Sequence, residues 1–330
     1  MRRTEALPYF QPIGERDRFL PEGPRAMRRQ SREGIAWVNI QCSPDSTYGS
    51  LFFYDPRESR EEGERLAFDH RLDCPSRPGF LLPIEGGDRV LVGLEKVLQV
   101  CDLAKGDWSP PLARIPDGDP RTIINDAEIV PGGKAVVFGT KDTRFDAEAK
   151  LAQLYLYTVD DNRISVLADK QVCSNGKVIA SDERGLILYD IDTPTRKVVR
   201  YRLDLRDRTA TPDGVALDLA NQVGFPDGMR GCGDGTAIIA FYNPELAGAG
   251  RAVRFNLATG EAVQEWTTPG SPRVTCPLLV KRRDDVKLIL TTATEGMPAE
   301  MRAKCPNAGC LFIADTQLAE CPAGEVVRLP

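Results

Sequence analysis

Pro226-Asp227-Gly228-Met229, followed by the apolar run Ala237-Ile238-Ile239-Ala240-Phe241, is a pattern this chain repeats. An acid or amide stands ahead of a strand-like run three more times, in Pro21-Glu22-Gly23, Asn125-Asp126-Ala127 and Ser174-Asn175-Gly176. The steps from Glu22 to Asn125, Asn175 and Asp227 are 103, 50 and 52 residues. Each step is one or two lengths of about 51, and repeats of roughly that size built from short strands mark a β-propeller. A repeat that returns an oxygen-bearing side chain to one structural place would converge those oxygens on the central channel.

Between the four anchors lie short apolar runs of strand length and composition. They are Gly34–Val38, Ser50–Tyr54, Arg89–Gly93, Lys96–Val100, Ala135–Phe138, Leu154–Tyr157, Gly185–Tyr189, Lys197–Tyr201, Ala237–Phe241, Ala252–Phe255, Lys287–Leu290 and Cys310–Ile313. Asn256-Leu257-Ala258-Thr259-Gly260 reads as a hairpin turn. Helical periodicity is nearly absent, with one mild candidate at Ala147–Leu154. Dividing 330 residues by about 51 gives six units. The expectation is an all-β, six-bladed β-propeller over residues 1–330 as a single domain. Blade two would begin near Pro78-Gly79-Phe80 and blade six near Thr275-Cys276-Pro277, and neither carries a matching carboxylate.

Composition narrows the function. Apolar content of 42% and charged content of 28% allow a folded core. A net charge of −5 argues against a nucleic-acid partner, which needs a basic surface. No apolar stretch is long enough to span a membrane. No apolar region follows Met1-Arg2-Arg3-Thr4, so no signal peptide is expected. Nine scattered cysteines suit reduced thiols and a cytoplasmic protein. Cys305, Cys310 and Cys321 lack paired knuckles and read as ordinary thiols rather than a soft metal site. His70, the only histidine, lies in the polar Asp69-His70-Arg71 and reads as a solvated loop residue.

Glu22 and Asp227 supply two negative charges, and Asn125 and Asn175 supply two neutral carbonyl oxygens. This all-oxygen set suits one hard divalent cation such as Ca²⁺, Mg²⁺ or Mn²⁺, with Ca²⁺ favoured and Zn²⁺ a further option. Any one anchor alone reads as a turn former, but the shared spacing favours a common role. Pro212-Asp213-Gly214 makes Asp213 a rival for the fourth place. Asp227 is preferred because the run 236–242 follows at the spacing of an inner hairpin.

At these residues the chain resembles the regucalcin/gluconolactonase family of six-bladed propellers, from about Leu20 to Asp315. Pro21-Glu22-Gly23-Pro24 is similar to the family's opening Glu-Gly-Pro. Asn125-Asp126-Ala127 with Phe138-Gly139-Thr140 is similar to its Asn-Asp-Gly and Gly-Thr. Ser174-Asn175-Gly176 with Tyr189 and Asp192, and Pro226-Asp227-Gly228-Met229 with Phe241-Tyr242-Asn243, match its later blades. The resemblance implies one divalent cation held by Glu22, Asn175 and Asp227, with Asn125 at the metal or substrate and Asp227 as general base. It implies hydrolysis of a small-molecule lactone or ester. Phosphotriester hydrolysis at the same metal and a non-catalytic metal-binding scaffold are the competing readings.

The chain also departs from the family. Ile123 stands where an Arg often precedes the Asn, and Arg25-Ala26-Met27 replaces the aromatic after Glu-Gly-Pro. Lys141-Asp142-Thr143-Arg144 occupies a segment where lactonases can carry a sugar-binding acid. Lys141 and Arg144 therefore read either as solvated loop cations or as contacts to an anionic substrate, with Arg144 taken as the substrate-binding candidate.

Overall fold

The computed structural model describes residues 1–55 and 70–330, with backbone alone at 70. Among the described residues the strands form six sheets. The first strands of the sheets are Pro21–Arg29, Pro78–Pro83, Thr122–Ile129, Ser174–Asp182, Phe225–Gly231 and Val274–Arg282. Each contacts the next and the last contacts the first, closing a ring of six blades. Blades two and six begin where the sequence placed them.

The apolar runs are the second and third strands of the blades, such as Arg32–Asn39 with Ser50–Tyr54 and Thr236–Tyr242 with Ala249–Asn256. They are apolar almost continuously because each sheet is covered on both faces by neighbouring blades. Along the second strand of blade one, Ala36 and Val38 pack against Val90 and Val92 of blade two. Ile35 and Trp37 turn the other way, against Leu278 and Ile289 of blade six. A comparable cluster fills each of the other four blade interfaces.

The ring closes with chain from its N-terminal end. Leu7–Phe10 pairs antiparallel with Leu311–Asp315 as the outer strand of blade six. Arg2–Glu5 adds a parallel fifth strand to blade five along Ala262–Pro269. At the other end of the chain, Val327 bonds to Pro83 and Glu85 while Arg328 bonds to Gly133. Joining distant segments in one sheet ties the first and last blades together.

Two local expectations are corrected. Ala147–Leu154 is not helical; turns lead into the strand Ala152–Thr158, because the third strand of blade three must bond to Ala135–Asp142 and Arg163–Gln171. Among the described residues the one α-helix instead spans Ala299–Lys304, on the connection inside blade six. His70 opens the strand His70–Asp73 rather than lying in a loop; its side chain lies outside the described residues. The Asn256 turn is as expected, with the Asn256 side chain accepting the N–H groups of Ala258 and Thr259. No helix among the described residues is long and apolar enough to cross a membrane.

Candidate functional site

The six first strands all break register at the same place. Pairing skips from Glu22 to Arg25, Ile124 to Ala127, Ser174 to Lys177 and Pro226 to Met229. It also skips from Pro78 to Phe80 and Val274 to Pro277. Such bulges re-aim side chains out of the pleat. Asn125, Asn175 and Asp227 lie inside their bulges and Glu22 at the edge of its own. The equivalents in blades two and six are Gly79 and Thr275-Cys276.

The glycines after two anchors are required by close approach. A Cβ on Gly176 would lie 2.3 Å from the backbone nitrogen of Met229. One on Gly228 would lie 2.6 Å from the sulfur of Cys276. Adjacent bulges therefore touch through bare backbone, which narrows the channel at the anchor layer.

One hydrogen-bond relay orders the anchors of blades three, four and five. The Thr193 hydroxyl donates to the Pro226 carbonyl over 2.9 Å, beside Asp227. Thr193 accordingly accepts from Asn175 Nδ2 at 2.8 Å. Asn175 Oδ1 then accepts from Asn125 Nδ2 at 2.9 Å, and Asn125 also donates to Ser174 O at 3.0 Å. Because the Pro226 carbonyl can only accept, the orientation of both amides follows. Asn175 Oδ1 keeps its second lone pair.

Glu22 is half-buried, while Asp227 is 7% and Asn125 4% exposed. The Glu22 carboxyl is pushed well above its usual range by burial, then by the charges of Asp227 and Asp126. Asp227 is raised by burial and by Asp126. Lys141 opposes both shifts. The carboxyls of blades one and five thus share one electrostatic environment, in which burial and neighbouring negative charge disfavour their ionised forms. Tyr242 lines the same region, donating to the Glu295 carbonyl at 3.0 Å. Burial raises the Cys173 thiol far above its usual range, so it is no thiolate nucleophile.

The residues fit a hard divalent cation. Two carboxylates in want of positive charge and two amide oxygens are the donor chemistry such an ion takes. The set is not a cage of titratable ligands: among the described residues no three or more His, Cys, Asp and Glu side chains are grouped to hold a metal.

The other expected residues separate. Asp213 lies on the outer strand Thr209–Asp218 of blade four, paired with Arg200 and Arg202, away from the channel. Arg144 is exposed, and its backbone N–H donates to Asp142 Oδ1. Lys141 is buried and not a solvated loop cation. Cys305 and Cys310 lie in different clusters.

Beneath the anchors lies a charged layer that sequence reading missed. Glu128 accepts from Arg25 at 3.0 Å and from Arg230 at 3.0 Å. Arg25, Glu128 and Arg230 each stand three residues after an anchor, so the same repeat carries them. Lys177, with no side-chain exposure, donates to Asn175 O at 2.6 Å and pairs with Asp190 at 3.2 Å. A cavity of about 1330 Å³ opens beyond this layer, at the opposite end of the channel from the anchors. Arg25, Glu128, Lys177 and Arg230 line it, with residues 321–326.

The sequence profile of the SMP-30/Gluconolactonase/LRE-like region matches residues 20–294. An uncharacterized protein of Sulfolobus acidocaldarius is 28% identical over 257 residues, which cover 76% of this chain and 86% of that protein. A protein of Bacillus subtilis named as a putative sugar lactone lactonase is 31% identical over 194 residues, 59% of this chain and 62% of its own length. The crystal structure of a calcium-binding regucalcin from Agrobacterium tumefaciens superimposes with a TM-score of 0.75 at 19% identity, over 100% of this chain and 99% of the other. At that identity the likeness speaks for the fold. The chain belongs to the SMP-30/Gluconolactonase/LRE-like family.

Proposed function

We propose that this protein is a metal-dependent lactonase acting on a sugar-acid or related small-molecule lactone. The observation that carries the reading is the placement of Asn125, Asn175 and Asp227 inside, and Glu22 at the edge of, the bulge that recurs in the first strands. The family and the Bacillus subtilis relative point to lactonase-type activity. Residues 1–330 are taken as one domain, and cysteines outside any disulfide suit the cytoplasm.

Glu22 and Asp227 would hold one divalent cation, Ca²⁺ by preference, with Asn175 Oδ1 and Asn125. When bound, such an ion supplies positive charge that polarises a lactone carbonyl and eases deprotonation of water. Asp227 takes the proton of the attacking water and returns it to the ring oxygen that leaves. Glu22 stays ionised and balances charge. The relay through Thr193 fixes Asn175, and the bond from Asn125 keeps that amide from rotating.

The test is a lactone panel assayed with EDTA and with added Ca²⁺, Mg²⁺, Mn²⁺ or Zn²⁺. Metal-dependent ring opening, reduced by about 10²–10⁴ in Asp227→Ala, supports the proposal. Turnover of phosphotriesters alone would transfer the site to that chemistry. Tight metal binding with no ester turned over would make the protein a scaffold.

A further inference from the structure

Lys141 lies on the second strand of blade three, in register with Ile123, and bridges to Cys173 at the start of blade four. It is 7% exposed. Among the described residues its ammonium makes no ion pair and no hydrogen bond. Lys177, buried more deeply, satisfies its ammonium with Asp190, Ser174 and Asn175. The Lys141 stem is buried but its Nζ is not fully enclosed, so the ammonium is open to whatever enters there. Its backbone lies between Ile123 and Cys173, each two residues before an anchor amide, which places Lys141 at the anchor layer.

Charge balance points the same way. Arg25 and Arg230 exceed Glu128 by one positive charge, and Asp126 faces both arginines. Glu295 and Arg273 both act on Tyr242. A divalent cation would neutralise Glu22 and Asp227. Lys141 then keeps its three N–H donors without a protein partner among the described residues.

Resting on the lactonase reading, we propose that Lys141 determines specificity by binding an anionic group of the substrate: the preferred lactone carries a carboxylate remote from its ring ester. Arg144, exposed on the following loop, is not needed for this contact.

The test compares the wild type with Lys141→Met and Lys141→Arg on two lactones of equal ring size. One is a neutral aldonolactone and the other the monolactone of a sugar diacid, each assayed with saturating metal. The wild type is expected to favour the acid lactone by about tenfold or more in kcat/KM, because a site built for a charged group discriminates against its absence. Lys141→Met should abolish the preference, with a much larger loss through KM on the acid lactone than on the neutral one, and Lys141→Arg should restore part of it. An unchanged preference in Lys141→Met overturns the proposal, as does an equal loss on both lactones. If Lys141 serves only to balance Glu22 and Asp227, Lys141→Met will bind metal more tightly and keep the wild-type preference, which also overturns it.

Calorimetry supplies a readout without turnover. An open-chain sugar diacid should bind the wild type more tightly than the corresponding monoacid, and Lys141→Met should lose that difference. Diacid selectivity without hydrolysis of either lactone would sink the lactonase reading and keep the Lys141 assignment. Hydrolysis of both lactones at equal efficiency would do the reverse.

Discussion

Asn125 Nδ2 donates to Asn175 Oδ1 across 2.9 Å, joining blades three and four through residues 50 positions apart. The bond continues through Thr193 to the carbonyl preceding Asp227. Asn125→Ala should loosen Asn175 rather than merely delete one oxygen. Activity is expected to fall by about 10–100-fold, as for lost partners of metal ligands. Metal affinity measured by titration should weaken in the same variant, and unchanged affinity would separate Asn125 from the donor set.

The two raised carboxyls give the metal-free protein a definite pH response. Glu22 and Asp227 have folded pKa values above their ordinary 4.5 and 3.8, so the folded state holds protons more tightly than the unfolded chain. Their contribution to stability is complete below those ordinary values and is lost as pH rises through the raised ones. Thermal melting in EDTA should therefore show Tm falling over that window, with a smaller fall in Glu22→Gln. Added divalent cation should raise Tm, and more so at higher pH, because binding requires the ionised carboxylates.

Asp190 holds the ammonium of Lys177, which in turn holds the Asn175 carbonyl. Asp190→Ala leaves that charge buried without its counter-ion and should destabilise the fold by about 3–5 kcal/mol. Denaturant unfolding measures this. A combined Asp190→Ala, Lys177→Met protein should recover much of the loss.

Gly228 packs its bare Cα side against Cys276 and the Thr275 carbonyl of blade six. Gly228→Ala places a methyl 2.6 Å from the Cys276 sulfur and 2.7 Å from that carbonyl. Overpacking of this kind costs about 1–3 kcal/mol. Because the strain falls beside Asp227, turnover should drop more than stability alone requires, which an assay well below Tm will show.

Much of this was legible before any coordinates. Ser50–Tyr54 and Arg89–Gly93 read as strands because burial on both faces makes them apolar throughout. The anchors read as a set because one bulge recurs in one strand of each blade. Ala147–Leu154 was misread because a short apolar segment carries little periodicity of its own, and sheet pairing decides it. Arg25, Glu128 and Arg230 share the anchors' offset, but charged residues ordinarily signal solvent. Their burial appears only when three blades meet.

The sequence by itself determined the number of blades, their second and third strands, and which four oxygen-bearing residues share one place in the repeat. Those are local properties, written in the period of the chain. The tertiary structure alone decided that Arg2–Glu5 and Leu7–Phe10 complete blades five and six, that Asp213 faces outward to arginines while Asp227 faces the channel, and that the Lys141 stem is buried, with no partner for its ammonium among the described residues, while Arg144 is exposed. Each depends on pairing between distant segments and on the depth of a side chain within the ring, which no short-range pattern encodes.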